Sequence, residues 1–160
     1  MRPKPDQPLD LKTLKVWKIT SAFGSVFYGL LPLIYWGASR IWTFLPVWPT
    51  YALAVLAFLF ALINIFIIQK LQWKRWRYKI YENEIELMYG VFILRRVIIP
   101  MIRVQHVDTK QGPLFRYYRL ASVTISTAAT VHEIPGLTLE KADMLRDHIA
   151  QLAREADPDE

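Results

Sequence analysis

Three histidines and several hydroxyl residues are the side chains of this sequence that could support acid–base or nucleophilic chemistry. His106 and His132 fall on predicted strands and His148 falls on a predicted helix, so the spacings of zinc-binding histidine pairs are absent. Ser122 and Ser126 lack the flanking glycines of a hydrolase nucleophile. We therefore expect no catalytic residue, and no cleft in which His106 or His132 meets a carboxylate.

The composition excludes further kinds of site. The 160 residues include no cysteine, which excludes thiolate zinc sites, iron–sulfur clusters and cysteine nucleophiles. The six glycines stand too far apart to build a phosphate-binding loop. We expect a protein that is not an enzyme and that uses no metal and no cofactor.

Basic residues are distributed unevenly along the chain, whose net charge is +6. Residues 70–119 contain eleven basic and four acidic residues, whereas residues 120–160 contain three basic and eight acidic ones. The acidic end would repel phosphates, so we expect no nucleic-acid partner. The candidate contacts with membrane lipids are basic side chains of the first group: Lys70, Lys74, Arg75, Arg77, Lys79, Arg95, Arg96, Arg103, Arg116 and Arg119.

Two interpretations stay open for these side chains. The cluster from Lys70 to Lys79 either binds anionic headgroups, at about 1 kcal/mol per basic residue, or only fixes the orientation of the chain in the membrane. The later arginines either bind a headgroup or phosphate, or solvate and brace the sheet. Arg95 and Arg96 point to opposite faces of a predicted strand, which favours the second interpretation for at least one of them.

Two long uncharged segments explain why a basic chain also has a positive mean hydropathy of +0.17. They cover residues 19–39 and 41–69, and a helix needs about 20 such residues to cross about 30 Å of hydrocarbon. Pro49 suits a first helical turn, so we place the spans at about 19–39 and 49–68 of a transmembrane helical hairpin over 19–69. All six tryptophans lie near the span ends, where amphipathic rings contact headgroups.

The flanks of the spans predict the topology. Five basic residues, including Arg2, lie in a basic N-terminal segment over 1–18; five follow the second span, and the hairpin loop has only Arg40. The positive-inside rule therefore places both termini in the cytoplasm.

Small residues on the spans predict close helix packing, because they let backbones approach in lipid. We interpret them as packing the hairpin against itself, with contacts to other subunits as the alternative, and expect Asn64 to be able to bond across the interface. These residues are Ser21, Ser25, Gly29, Ala54, Ala57, Ala61 and Asn64.

From about residue 76 the hydrophobic period becomes two, which is typical of half-buried strands. We predict strands at 77–81 and 84–89 around a turn at Glu82–Asn83, and further strands at 92–99, 102–109, 122–128 and 130–134. A seventh strand would come from dividing 92–109 differently or from 115–120. An amphipathic helix follows with Thr138 as its N-cap, which completes a cytoplasmic domain over 70–160.

The order of several short motifs resembles a known family. After the two spans come Tyr78-Lys-Ile, Ile98-Ile-Pro100-Met-Ile-Arg103, Gly112-Pro-Leu-Phe-Arg116 and Ile134-Pro-Gly-Leu137. This order is similar to that of the membrane-anchored bacterial pleckstrin-homology-like proteins, in particular their short single-domain member.

The resemblance implies an α+β membrane protein in which a PH-like antiparallel bent sheet or partial barrel of seven strands is capped by the C-terminal helix. It also implies the bacterial inner membrane and no catalytic residues. We expect a non-enzymatic interaction module that scaffolds or assembles a protein complex at the inner leaflet. Its partner would be a longer multi-domain paralogue or further copies of itself. The alternative is an anionic-lipid headgroup sensor, since eukaryotic relatives of the fold bind phosphoinositides.

Overall fold

A computed structural model describes residues 3–42 and 44–156 of the chain. The chain divides into two compact units, one from Trp17–Lys70 and one from Met1–Val16 together with Leu71–Glu160. Each unit is considered separately below. Arg2 of the predicted basic flank lies outside the described residues.

The unit of residues 17–70 is helical. Helix α1 runs over Leu11–Ile41 and helix α2 over Trp48–Leu62, with Pro49 in its first turn; a π-helical turn, Ile63–Ile68, leads into α3, Gln69–Arg75. Two helices, Leu11–Ile41 and Trp48–Arg75, are long and apolar enough to cross a membrane, and their most apolar stretches are 6% and 0% buried. Such exposed apolar surface suits lipid rather than water.

The other unit contains seven antiparallel strands within the described residues. Strands β1 (Gln7–Pro8), β2 (Arg77–Ile80), β3 (Glu84–Tyr89) and β4 (Arg95–Pro100) form one sheet in that order. Strands β5 (Val104–Lys110), β6 (Leu120–Thr127) and β7 (Val131–Thr138) form the second. Within the described residues the two antiparallel sheets do not close into a barrel, and a C-terminal helix follows them; this architecture confirms the predicted PH-like α+β fold.

The remaining elements of this unit are short, apart from the last helix. A 3₁₀ turn at Met101–Arg103 joins the sheets, α4 covers Pro113–Tyr117, and α5 covers Leu139–Ala156. Lys141 N donates to the Thr138 hydroxyl at 3.4 Å, which confirms the predicted N-cap of α5.

The core of this unit lies between the sheets and α5. Ile85 and Leu87 alternate along β3 with side chains of the opposite face, and Ile125, Ile134 and Ile149 complete the packing, each at most 1% exposed. The strict alternation of the sequence therefore identified the core face correctly.

Several local predictions were wrong. The strand predicted from residue 92 begins at Arg95, and the one predicted from residue 102 begins at Val104, because residues 101–103 form the 3₁₀ turn. The possible strand at 115–120 does not form: Phe115 lies in α4, where Pro113 fixes the first turn, and Leu120 already begins β6. The seventh strand is instead β1, from the N-terminal segment.

Trp76 was wrongly assigned to the headgroup level. Its ring is 5% exposed and stacks on Tyr89, with 6.2 Å between ring centroids. The Trp73 indole N–H donates to the Asp10 carbonyl at 3.0 Å. Both rings therefore contribute to the strand-containing unit, whereas Trp42 and Trp48 are exposed.

Candidate functional site

An open groove of about 980 Å³ lies between the two sheets of the strand-containing unit. Its walls are β4, the 3₁₀ turn, β5, the turn between β6 and β7, and the last turns of α5. Within the described residues, β4 pairs only with β3 and β5 only with β6, so both groove-side edges lack a neighbouring strand. Unpaired strand edges present backbone donors and acceptors to any extended chain that enters.

The 3₁₀ turn connects the two strands that border the groove. The backbone N–H of Met101 donates to the Asn83 carbonyl at 2.9 Å, and the Met101 side chain is fully buried. This anchor redirects the chain after Pro100, so that β5 starts a new sheet instead of continuing β4.

The groove combines apolar and basic side chains. Ile98 and Ile102 are 45% and 62% exposed, which is unusual for isoleucine, and Ala150 and Ala153 form the α5 side. The polar lining includes two arginines and two histidines, namely Arg103, Arg154, His106 and His132. Among the described residues, no aspartate or glutamate lines the groove. The groove therefore suits an extended ligand with apolar and acidic groups.

One of the two strand histidines pairs with a carboxylate, but this carboxylate, Asp108, is not among the residues that line the groove. His106 and His132 both line the groove, and His106 Nε2 lies 2.9 Å from Asp108 Oδ1, since residues two apart share a strand face. Both partners of this pair are more than half exposed. His132 contacts the Thr130 hydroxyl at 2.9 Å, so the two histidines have separate partners.

The predicted arginine group is spread over several elements. Arg95 and Arg96 begin β4, Arg103 lies in the groove, Arg116 is exposed on α4, and Arg119 follows that helix. Arg119 has a φ of 54°, the left-handed conformation that ends a helix, so it has a structural position there.

Arg96 contacts Glu86, a residue whose burial the sequence does not predict. Its Nε donates to Glu86 Oε1, and its Nη2 donates to the Pro3 carbonyl at 2.9 Å. The Glu86 side chain is fully buried, and its hydrogen bond raises the pKa of Arg96. The alternation of apolar and polar residues along β3 predicts that Glu86 faces solvent. No local pattern in the sequence indicates that its side chain is buried.

The basic residues from Lys70 to Lys79 differ in exposure and in hydrogen bonding. Lys70 and Lys74 are exposed. Arg75 donates to the Val91 carbonyl and Arg77 donates to the Trp76 carbonyl at 2.8 Å. Lys79 pairs with Asp6 at 3.1 Å, which raises the pKa of Lys79 and lowers that of Asp6.

The small residues of the helical unit fall into two groups. Ser21, Ser25, Ala57, Ala61 and Asn64 are partly buried, whereas Gly29 and Ala54 are exposed. A Cβ at residue 29 would meet nothing within 4 Å, so the hairpin does not use that glycine for close packing. The Ser25 hydroxyl donates to the Ser21 carbonyl at 2.7 Å.

The side chain of Asn64 bonds along its own segment. Its Oδ1 accepts from Gln69 Nε2 at 3.4 Å, across the π-helical turn. Contact between α1 and α2 includes the rings of Tyr28 and Phe60, whose centroids lie 4.9 Å apart.

Comparison with known proteins adds to this geometry. A model of the bacterial PH domain family matches residues 19–153. The UPF0699 transmembrane protein YdbS of Bacillus subtilis (strain 168) is 45% identical over 159 residues, which cover 99% of each chain. The UPF0699 transmembrane protein YdbT of the same organism is 23% identical over 83 residues, 49% of this chain and 17% of that protein. No solved structure matches the chain significantly.

Proposed function

The chain belongs to the bacterial PH domain family, and on that premise we propose that it is a non-enzymatic module that assembles a protein complex at the inner leaflet of the bacterial membrane. The two apolar helices anchor it, and both termini lie in the cytoplasm. The groove between β4 and β5 binds an extended segment of a partner protein. A C-terminal reporter that is active only outside the cytoplasm tests the topology, because activity there would contradict it.

One observation supports the groove as the binding site: in the part of the chain that the structure describes, two strand edges without neighbours border the same basic and apolar concavity. An added strand would satisfy the edge N–H and C=O groups of β4 or β5. Its apolar side chains would cover Ile98 and Ile102, and its acidic side chains would pair with Arg103 and Arg154. The partner is therefore a protein segment with alternating apolar and acidic residues.

A longer relative with several such domains is the partner that we propose. This chain shares a stretch of 83 residues with YdbT that makes up only 17% of that protein, so YdbT contains much sequence outside the similarity. A second copy of this chain is a separate outcome of the experiment below.

Site-specific photocrosslinking in intact membranes tests the groove. A photoreactive residue replaces Ile102, which is 62% exposed in the groove, or Tyr117, which is 81% exposed on α4, outside it. We expect an adduct only from position 102, and mass spectrometry should map it to an extended acidic segment of the longer relative. A synthetic peptide of that segment should bind the detergent-solubilised chain, and Arg154→Glu should weaken this binding more than Arg116→Glu.

Three outcomes would contradict the proposal. Equal adducts from positions 102 and 117 would show that the groove is not selective, and an adduct with lipid alone would exclude a protein occupant. An adduct with a second copy of the chain would replace the proposed partner with self-association.

A second candidate function is anionic-lipid sensing, and a specific observation favours it. Arg75, Arg77 and Arg95 lie at one end of the first sheet, since Arg77 opposes Met88 and Arg95 opposes Tyr89 in adjacent strands. If this function holds, substitution of Arg77 and Arg95 by glutamine lowers the phosphatidylglycerol retained by the purified chain in lipid mass spectrometry. Unchanged retention would exclude it.

A further inference from the structure

The loop between β3 and β4 exposes three consecutive large apolar side chains. Phe92, Ile93 and Leu94 are 87%, 76% and 50% exposed. Single exposed apolar residues are ordinary, but a contiguous group at a loop tip marks a contact with another molecule or with a membrane.

The structure holds this loop in a defined shape. Gly90 has a φ of 124°, and a Cβ there would overlap the Ile93 carbonyl, so glycine permits the tight turn. The Arg75 guanidinium donates to the Val91 carbonyl, and Tyr89 at the base of the loop stacks on the buried Trp76. The three apolar side chains are therefore presented by a supported turn.

The register of the first sheet fixes the end from which the loop projects. Because the strands are antiparallel, the β3–β4 loop lies at the end where β2 begins, at Arg77. Strand β1 finishes at this same end, since Pro8 opposes Arg77, and α1 starts three residues after Pro8. The chain therefore leaves the first sheet toward α1 and returns to it from α3 at the same end, which is the end that carries the loop.

The connections to the apolar helices are short. Arg75, which holds the loop through Val91, ends the seven-residue helix α3 that follows Ile68. A helix of that length rises only about 10 Å. The residue that holds the loop is therefore separated from Ile68 by only one short helix of the chain.

The charges around the loop complement anionic headgroups. Arg75, Arg77 and Arg95 lie at its end of the sheet, and residues 88–96 contain no acidic side chain. The carboxylate of Asp10, near the start of α1, accepts from the backbone N–H of Lys12. Apolar side chains with basic neighbours are the composition of segments that enter the headgroup region of a bilayer.

We propose that the β3–β4 loop inserts Phe92, Ile93 and Leu94 into the boundary between headgroups and acyl chains. The insertion is a third membrane contact of the chain, besides its two spans, and it fixes which end of the sheet faces the lipid. It does not depend on what binds in the groove, which is formed by other residues.

Depth-dependent quenching on the full-length protein tests the insertion. The chain has no native cysteine, so Ile93→Cys introduces a unique site for an environment-sensitive fluorophore. Glu82→Cys is the matched control, because it is exposed in the β2–β3 turn at the opposite end of the same sheet. Each labelled protein is reconstituted in vesicles of phosphatidylethanolamine and phosphatidylglycerol, with or without lipids brominated on their acyl chains.

We expect the label at residue 93 to lose most of its fluorescence in brominated vesicles and to emit at shorter wavelength than the free conjugate of the same fluorophore in buffer. The label at residue 82 should do neither. Phe92→Cys provides a second position in case one label disturbs the turn, and circular dichroism verifies that each variant is folded. Absence of quenching at both 92 and 93, or equal quenching at 82, would overturn the proposal.

Discussion

The hydroxyl of Thr13 donates a 2.6 Å hydrogen bond to the carbonyl of Gly136, a residue 123 positions away. Thr13 lies near the start of α1 and is fully buried, and Gly136 lies within β7. Asp10 N also donates to the Gly136 carbonyl, at 3.2 Å. The residues before the first span are therefore an integral part of the strand-containing unit.

Replacing Gly136 by alanine should strongly destabilise this unit. Gly136 has a φ of 64°, and a Cβ there would overlap the Thr13 side chain. A left-handed backbone and an overpacked core together cost about 2–4 kcal/mol. Thermal unfolding of the full chain in detergent measures the loss. Gly112→Ala is the control, because a Cβ at residue 112 meets nothing within 4 Å; equal melting temperatures of the two variants would contradict the prediction.

The N-terminal segment should stabilise the rest of the unit even when it is supplied separately. Leu9 and Val16 are each 2% exposed, and the Trp73 indole bonds to the Asp10 carbonyl, so a fragment of residues 71–160 exposes core surface. Adding a peptide of residues 3–16 should raise the melting temperature of that fragment. The same peptide with Thr13→Lys should not, and a fragment already as stable as the full chain would disprove the prediction.

Arg96→Met should lower the melting temperature by several degrees more than Arg95→Met. Arg96 supplies the positive charge that contacts the fully buried Glu86 carboxylate, and removing one partner leaves a buried charge uncompensated. Arg95 is exposed at the neighbouring position. In an Arg96→Met background, Glu86→Gln should recover part of the loss; no recovery would show that the ion pair is not the cause.

Tyr78→Phe should stabilise the protein slightly at neutral pH. The Tyr78 hydroxyl is buried without a hydrogen-bond partner among the described residues, whereas its ring, which lies 5.7 Å from Lys141 Nζ, is kept by phenylalanine. Removing an unsatisfied buried hydroxyl gains about 1 kcal/mol. Denaturant titration of both proteins measures the difference, and a large destabilisation would contradict this account.

The advantage of Tyr78→Phe should grow above pH 10. Burial raises the pKa of Tyr78 from 10.0 to about 12, so the unfolded chain loses this proton at lower pH than the folded one. The folded state of the wild type therefore loses stability as pH rises from 10 to 12, by about 1 kcal/mol at pH 11. If the difference in unfolding free energy between the wild type and Tyr78→Phe is the same at pH 8 and pH 11, the pKa of Tyr78 is not raised and the prediction is wrong.

Local patterns in the sequence determined most elements of this protein. The uncharged stretches predicted two apolar helices, because the length needed to cross hydrocarbon is readable from composition. Period-two alternation predicted β2 and β3, and Thr138 marked the start of α5, because pleat and cap geometry depend on neighbouring residues. The order of short motifs was sufficient to indicate the family.

Tertiary structure decided how distant segments meet. Gln7 and Pro8 carry no strand signal of their own and form β1 only because β2 offers an edge. The alternation along β3 predicts that Glu86 faces solvent, but its side chain is fully buried and pairs with Arg96 of β4. The groove likewise depends on β4 and β5 not pairing with each other in the described part of the chain. Long-range strand pairing leaves no trace in a local pattern, since its free energy comes from contacts between residues far apart in the chain.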